Sequence, residues 1–127
     1  MFFMESKILG LRTAIYKVAD IKKATEWYKK VFEIAPYFNE PFYVGFNIGG
    51  YELGLQPAEK PVSEKEESVI TYWGAKDVNT EYQRFIASGA VKHEAPQDVG
   101  GGIIVATVKD PWGNIIGLIY NPHFKLS

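Results

Sequence analysis

The chain has 127 residues and a mass of 14.3 kDa, a length that fits one compact domain with a real hydrophobic core rather than two independent ones. Apolar residues make up 46% and charged residues 23%, and 14 Lys+Arg against 15 Asp+Glu leave a net charge of -1, so neither a nucleic acid nor an anionic membrane is electrostatically favoured as a partner. The absence of cysteine excludes disulfides, thiolate zinc sites, iron–sulfur clusters and cysteine nucleophiles.

The start Met1-Phe2-Phe3-Met4 is apolar but too short for a signal-peptide core, and no stretch approaches the roughly 20 apolar residues of a membrane helix. A cytoplasmic protein is the expectation. Its 3 Trp, 8 Tyr and 8 Phe imply either an aromatic-rich core or an aromatic-rich pocket.

Taken in chain order, Lys7 to Val18 reads as a strand, and Asp20 is a good N-cap, because its carboxylate can accept from free N–H groups of the next turn. Ala24, Trp27, Tyr28, Val31 and Phe32 follow at the spacing of one buried helical face, with Pro36 expected to end the helix. Pro41 and Gly49-Gly50 then punctuate three extended runs: Tyr37 to Asn39, Phe42 to Ile48 and Tyr51 to Gln56. Residues 57–68 carry two prolines and six charges and read as a solvated linker.

The same order then repeats. Val18-Ala19-Asp20-Ile21 matches Ala75-Lys76-Asp77-Val78 at an offset of 57, and Gly50-Tyr51-Glu52-Leu53-Gly54-Leu55 matches Gly113-Asn114-Ile115-Ile116-Gly117-Leu118 at an offset of 63. In the second copy Val69 to Ala75 is a strand, and Asp77 caps a helix with Val78, Tyr82, Phe85 and Ile86 on its apolar stripe until Gly89 stops it. Extended runs follow at Val91 to Ala95, Ile103 to Lys109 and Asn114 to Tyr120, the six extra residues falling near Gly100-Gly101-Gly102. The expected organisation is a single α+β domain of two βαβββ modules, about 7–56 and 69–122.

A tandem βαβββ repeat with Val-x-Asp-Ile leading into its first helix, and Asp110-Pro111-Trp112-Gly113-Asn114 before its last strand, resembles the vicinal oxygen chelate superfamily. That superfamily includes glyoxalase I, extradiol dioxygenases, fosfomycin-resistance transferases and bleomycin-resistance proteins. The resemblance covers about Leu9 to Asn121. It implies two half-open curled sheets around a cleft that takes a ligand or a metal ion, and modules that often pair between chains, so a homodimer is expected.

In metal-using members the ligands are His, Glu or Gln at four pseudo-equivalent places on the first and last strands of the modules. Matched to this chain, those places hold Thr13, Ile70, Gly54 and Gly117. None is a competent donor for the divalent ions these folds use, Thr13 offering only a hydroxyl, so neither a metal nor another cofactor is expected. A register slip of two residues would instead bring Glu52 or Gln56 beside position 54, and a displaced site could then draw on His93.

Strand alternation places Leu11, Thr13, Ile15, Glu52, Gly54 and Gln56 on the cleft side of the first module, with Ile70, Tyr72, Ile115, Gly117 and Ile119 on that of the second. Phe42, Val44, Phe46 and Ile48 then face the helix, leaving Tyr43, Gly45 and Asn47 for the cleft. Trp112 either stacks on a flat ligand or covers the edge of the core. Glu52 serves as base or ion-pair partner if desolvated and otherwise stays solvated, and His93 and His123 read as surface histidines without a visible partner.

The candidate ligand-binding residues are therefore Thr13, Tyr43, Asn47, Glu52, Gln56, Ile70, Tyr72 and Trp112, with no catalytic residue singled out. The expected function is metal-independent binding of a small organic molecule. The alternative is a metal-dependent lyase, isomerase or dioxygenase using shifted ligands. A third reading is a structural or regulatory dimer subunit.

Overall fold

The computed structural model describes residues 11–58 and 70–123. The expected start of the first strand at Lys7, linker residues 59–68 and Val69 lie outside them. Along the described residues the chain runs β1 (Thr13–Val18), α1 (Ile21–Phe32), β2 (Phe38–Glu40), β3 (Tyr43–Ile48) and β4 (Tyr51–Pro57), then β5 (Thr71–Gly74), α2 (Val78–Ala87), β6 (Val91–Asp98), β7 (Ile104–Lys109) and β8 (Ile115–Tyr120).

The strands form two four-stranded sheets, ordered β1-β4-β3-β2 and β5-β8-β7-β6, and neither closes on itself. In each, the first strand runs parallel to the last and the other pairs are antiparallel. The architecture is the expected α+β pair of βαβββ modules.

Both helices start where a carboxylate can take up an orphan N–H. Asp20 and Asp77 are extended caps whose side chains accept from Lys23 N and Thr80 N, each at 3.1 Å. The Thr80 backbone N–H holds the Asp77 carboxyl below its usual range. Ala24, Tyr28 and Val31 on α1, and Val78, Tyr82 and Phe85 on α2, are buried at helical spacing.

Pro36 does not end α1. The chain leaves the helix earlier, at Glu33, which takes a left-handed conformation (φ 56°) and donates its N–H back to Lys29 O. The last turn has a second partner, Arg84 Nη2, which donates to Val31 O at 2.6 Å.

Other boundaries shift for identifiable reasons. Pro57 is the last residue of β4 rather than linker, and Ala58 N donates to Val18 O at 2.9 Å. The strand expected to stop at Ala95 continues to Asp98, with register shifts after Lys92 and Glu94, and its Pro96 is tolerated because β6 is an edge strand. The added length of the second module is taken up there and in the turn through Gly100-Gly101-Gly102, all at positive φ. Phe42 is not on the helix-packed face: it precedes β3, is 66% exposed, and meets the ring of Phe38 with centroids 6.1 Å apart.

One hydrophobic cluster includes residues of both modules, among them Tyr16, Tyr28, Phe46, Leu55, Trp73, Phe85 and Ile116. Polar bonds cross the same seam. Trp73 Nε1 donates to Tyr16 Oη at 3.1 Å, Trp27 Nε1 to Ser88 O at 2.8 Å, and Asn114 Nδ2 to Lys17 O at 3.0 Å.

Asp110, 1% exposed, accepts from Tyr28 Oη at 2.7 Å, from the backbone N–H of Trp112 and Asn114, and from Asn114 Nδ2. The Asp-Pro-Trp-Gly-Asn segment is thus a turn wound around one buried carboxylate, with a phenol of the other module completing its shell.

Burial pushes the Tyr16 phenol up to about 12 and raises that of Tyr28, on which the Asp110 charge acts in the same direction. A phenol whose folded pKa lies above its unfolded value near 10 stabilises the fold fully below pH 10 and loses that contribution as pH rises towards 12. Urea midpoints measured against pH should therefore fall across that window, and less steeply in Tyr16→Phe. Tyr28→Phe, which leaves one Asp110 oxygen a partner short, should cost about 1.5–3 kcal/mol at neutral pH with an unchanged denaturant slope.

Candidate functional site

With the helices packed against one face of each sheet, the other face remains for a ligand. Register pairs Thr13 with Glu52, Ile15 with Gly54, and Lys17 with Gln56. It also pairs Gly45 with Gly54, Asn47 with Glu52, Tyr72 with Gly117, and Thr107 with Gly117. Paired residues in a sheet share a face, so the expected alternation holds, and Ile15 and Tyr72 are 47% and 40% exposed there while Tyr16, Leu53, Leu55 and Trp73 are buried behind it.

The polar centre of the first module is Glu52. Its Oε1 accepts from Tyr37 Oη and its Oε2 from Tyr43 Oη. Burial raises the Tyr43 pKa. Glu52 and Tyr43 were both sequence candidates and are in direct contact.

Tyr37 was not a candidate. It sits just before β2, its N–H donates to Gly45 O at 2.9 Å, and its ring lies 3.1 Å from where a β-carbon on Gly45 would be. A glycine inside an otherwise bulky strand, Val44-Gly45-Phe46, was the available signal that something crosses the sheet at that point.

The glycines at the expected ligand positions are likewise covered. A β-carbon at Gly54 would run into Tyr43 Oη. One at Gly117 would lie 2.5 Å from the Tyr72 ring and 2.9 Å from Thr71 O. The ring over Gly54 comes from β3, and the ring over Gly117 from β5.

A metal centre of the type found in this fold does not fit these residues. The four positions that the resemblance assigns to metal ligands hold a hydroxyl, an isoleucine and two glycines whose approaches are filled by tyrosine rings. Among the described residues no three His, Asp or Glu side chains converge as a metal-binding group. Glu52 lies on β4 of the first sheet, whereas His93 lies on β6, the outer edge of the second.

The remaining candidates separate. Thr13 is exposed beside Glu52, and Gln56 lies further along the same face; Ile70 directly precedes β5 and Tyr72 lies on it. The Asn47 side-chain carbonyl is committed to its own hairpin, accepting from Gly50 N at 2.8 Å. Trp112 packs edge-on against Trp27, centroids 6.2 Å apart, on the helix side, which is the core-covering one of its two readings.

Neither histidine lacks a partner. His93 Nδ1 is 2.7 Å from Thr107 Oγ1, and His123 Nε2 is 2.7 Å from Gly101 O. A separate open hollow of about 420 Å³ lies between α1 and the β2–β3 turn, lined by Ile21, Thr25, Glu40 and Pro41 among others, away from the Gly117 side of the face. No helix among the described residues is long and apolar enough to cross a membrane.

Two βαβββ modules joined along one core, each presenting a glycine-floored sheet face, define the paired-module class to which the sequence bears its resemblance. Residues 10–118 match the model of the Glyoxalase/Bleomycin resistance protein/Dioxygenase superfamily, and the chain belongs to that family. No curated protein sequence matches it.

Solved structures share the fold at low identity. A glyoxalase-related enzyme from Fulvimarina pelagi superposes with a TM-score of 0.76 at 17% identity over 94% of each chain. TioX from Micromonospora sp. ML1 gives 0.70 at 19% identity over 87% of this chain and 98% of its own. A glyoxalase/bleomycin resistance protein/dioxygenase family enzyme from Burkholderia phytofirmans PsJN gives 0.71 at 17% identity over 85% and 95%. At these identities the likeness concerns the fold.

Gly54→Ala should displace the Tyr43 ring and destabilise the protein by about 1–3 kcal/mol. Because the three nearest atoms all belong to that side chain, Tyr43→Ala should absorb most of the cost, so the double mutant should be more stable than the sum of the singles, as read from urea unfolding. Gly117→Ala, which also meets the Thr71 carbonyl oxygen, should not be rescued by Tyr72→Ala.

Proposed function

We propose that this chain binds a small organic molecule, flat or partly apolar, in the cleft lined by its two exposed sheet faces, and that it does so without a catalytic metal. The observation that carries this reading is the pair of tyrosine rings laid over Gly54 and Gly117. They occupy the approaches a metal-ligating side chain would need, and they turn the floor of each module into an aromatic surface.

A pocket of aromatic and aliphatic groups with a few placed polar atoms is the usual make-up of a small-molecule site, and here the polar atoms are Glu52 with its two phenols, Thr13 and Gln56. Tyr72, Ile15 and Ile70 supply the apolar part. A second copy of the chain, in a cytoplasmic homodimer, would cover the open side.

Tryptophan fluorescence is a poor reporter of such binding, because Trp73 is in the core and Trp27 and Trp112 pack against each other on the helix side. Ring resonances of Tyr37, Tyr43 and Tyr72 are the direct probe. Titration with a panel of flat aromatic compounds should move them saturably, and Tyr72→Ala should weaken binding several-fold; resonances that stay put across the whole panel would remove the reading. Incubation with Ni, Zn, Mn or Fe followed by desalting should leave far less than one ion per chain, and a stoichiometric, tightly held ion would overturn the metal-free part of the proposal.

A further inference from the structure

We infer that Glu52 makes the first module's share of the cleft selective for organic cations, that is, flat molecules bearing a protonated amine or amidine. This rests on the ligand-binding reading above and names the class of ligand for the same site.

A carboxylate has about four lone-pair sites, and the two phenols of Tyr37 and Tyr43 fill one on each oxygen of Glu52. They orient the group without neutralising it. Among the described residues the ion pairs formed are those of Arg84 with Glu33 and Glu81, and none involves Glu52. The register neighbours Thr13 and Asn47 are neutral; of the nearby cations, Arg12 precedes Thr13 and accepts the Glu52 N–H through its backbone carbonyl, and Lys17 lies four residues along, paired with Gln56. Glu40, paired with Tyr43, stands in the same row as Lys17, four residues along from Glu52, so those two opposite charges face the same stretch of the sheet.

Around this negative charge stand exposed aromatic rings. Tyr37 is 65% exposed, and Phe38 is within 6.2 Å of Tyr43, centroid to centroid, as well as touching Phe42. Ring faces beside a carboxylate suit a cation that carries its own apolar surface, through charge, N–H donation and cation–π attraction together. An anion would meet the Glu52 carboxylate there, and a bare metal ion would find too few donors. The second module offers the exposed ring of Tyr72, a surface for the apolar end of the same ligand.

The test compares three planar tricyclic probes on the full chain at neutral pH: proflavine as the cation, acridine as the neutral compound, and anthracene carboxylate as the anion. Wild-type protein should bind proflavine at least about tenfold more tightly than acridine and bind the carboxylate most weakly, and the preference should shrink as salt is raised. Glu52→Gln, isosteric and half-buried, should bring proflavine down to the level of acridine while leaving acridine unchanged. Tyr43→Phe, which removes a phenol but keeps the charge, should preserve the preference.

Binding of all three probes without a charge preference, or a preference that survives Glu52→Gln, would overturn the cation assignment and leave the cleft reading standing. Failure of every probe to move the tyrosine resonances would overturn both.

Discussion

Each helix has its final turn completed by a side chain from the other module, and this exchange holds the two halves together. The last carbonyls of a helix have no partner within it and must find one. Here Val31 O at the end of α1 takes Arg84 from α2, and Ser88 O at the end of α2 takes Trp27 from α1. Trp27 and Arg84 are separated by 57 residues, as are Val31 and Ser88, and as are Asp20 and Asp77. The two bonds are therefore images of one another under the repeat. Tyr16 and Trp73, also 57 apart, bond to each other across the same axis.

The symmetry is broken where the modules are keyed together. Tyr28 reaches the buried Asp110, whereas its counterpart in the repeat is Phe85, which has no hydroxyl to offer. Asp110 needs that phenol because burial of a carboxylate is tolerated only when its lone pairs are occupied. Three of its bonds are local and shape the turn before β8; the fourth ties that turn to α1. A symmetric pair of helix contacts and one asymmetric polar key leave the two helices on the core side and both remaining sheet faces open.

Much of this was legible from residue order. Strand alternation put Thr13, Tyr43, Glu52 and Tyr72 on the open face, because a period of two leaves no other choice once Leu53, Leu55 and Trp73 are buried. The two aspartates marked the helix starts by their capping chemistry. Side-chain reach was not legible. Tyr37 lies outside any strand, and only the ring crossing Gly45 brings it to Glu52. Trp112 lies in a turn whose direction is decided by Asp110, and that decision sends the indole to Trp27. Asn47 was on the correct edge, but a hairpin N–H claims its carbonyl. Pro36 was a plausible helix stop that Glu33 and Arg84 made unnecessary.

The glycines of the floor decide what kind of site this can be. The resemblance assigns two metal-ligand positions to Gly54 and Gly117. In this chain a single β-carbon at either place would run into a tyrosine ring. The ring over Gly54 carries the phenol that orients Glu52, so a ligand side chain at position 54 and an oriented carboxylate at position 52 are mutually exclusive in this geometry. The rings also come from different strands, β3 in one module and β5 in the other, so two nearly identical floors are covered unequally. One floor is covered by a tyrosine that also holds a carboxylate, and the other by a tyrosine whose ring is partly exposed. On the ligand-binding reading proposed above, that inequality suits a molecule with two different ends better than a symmetric ion.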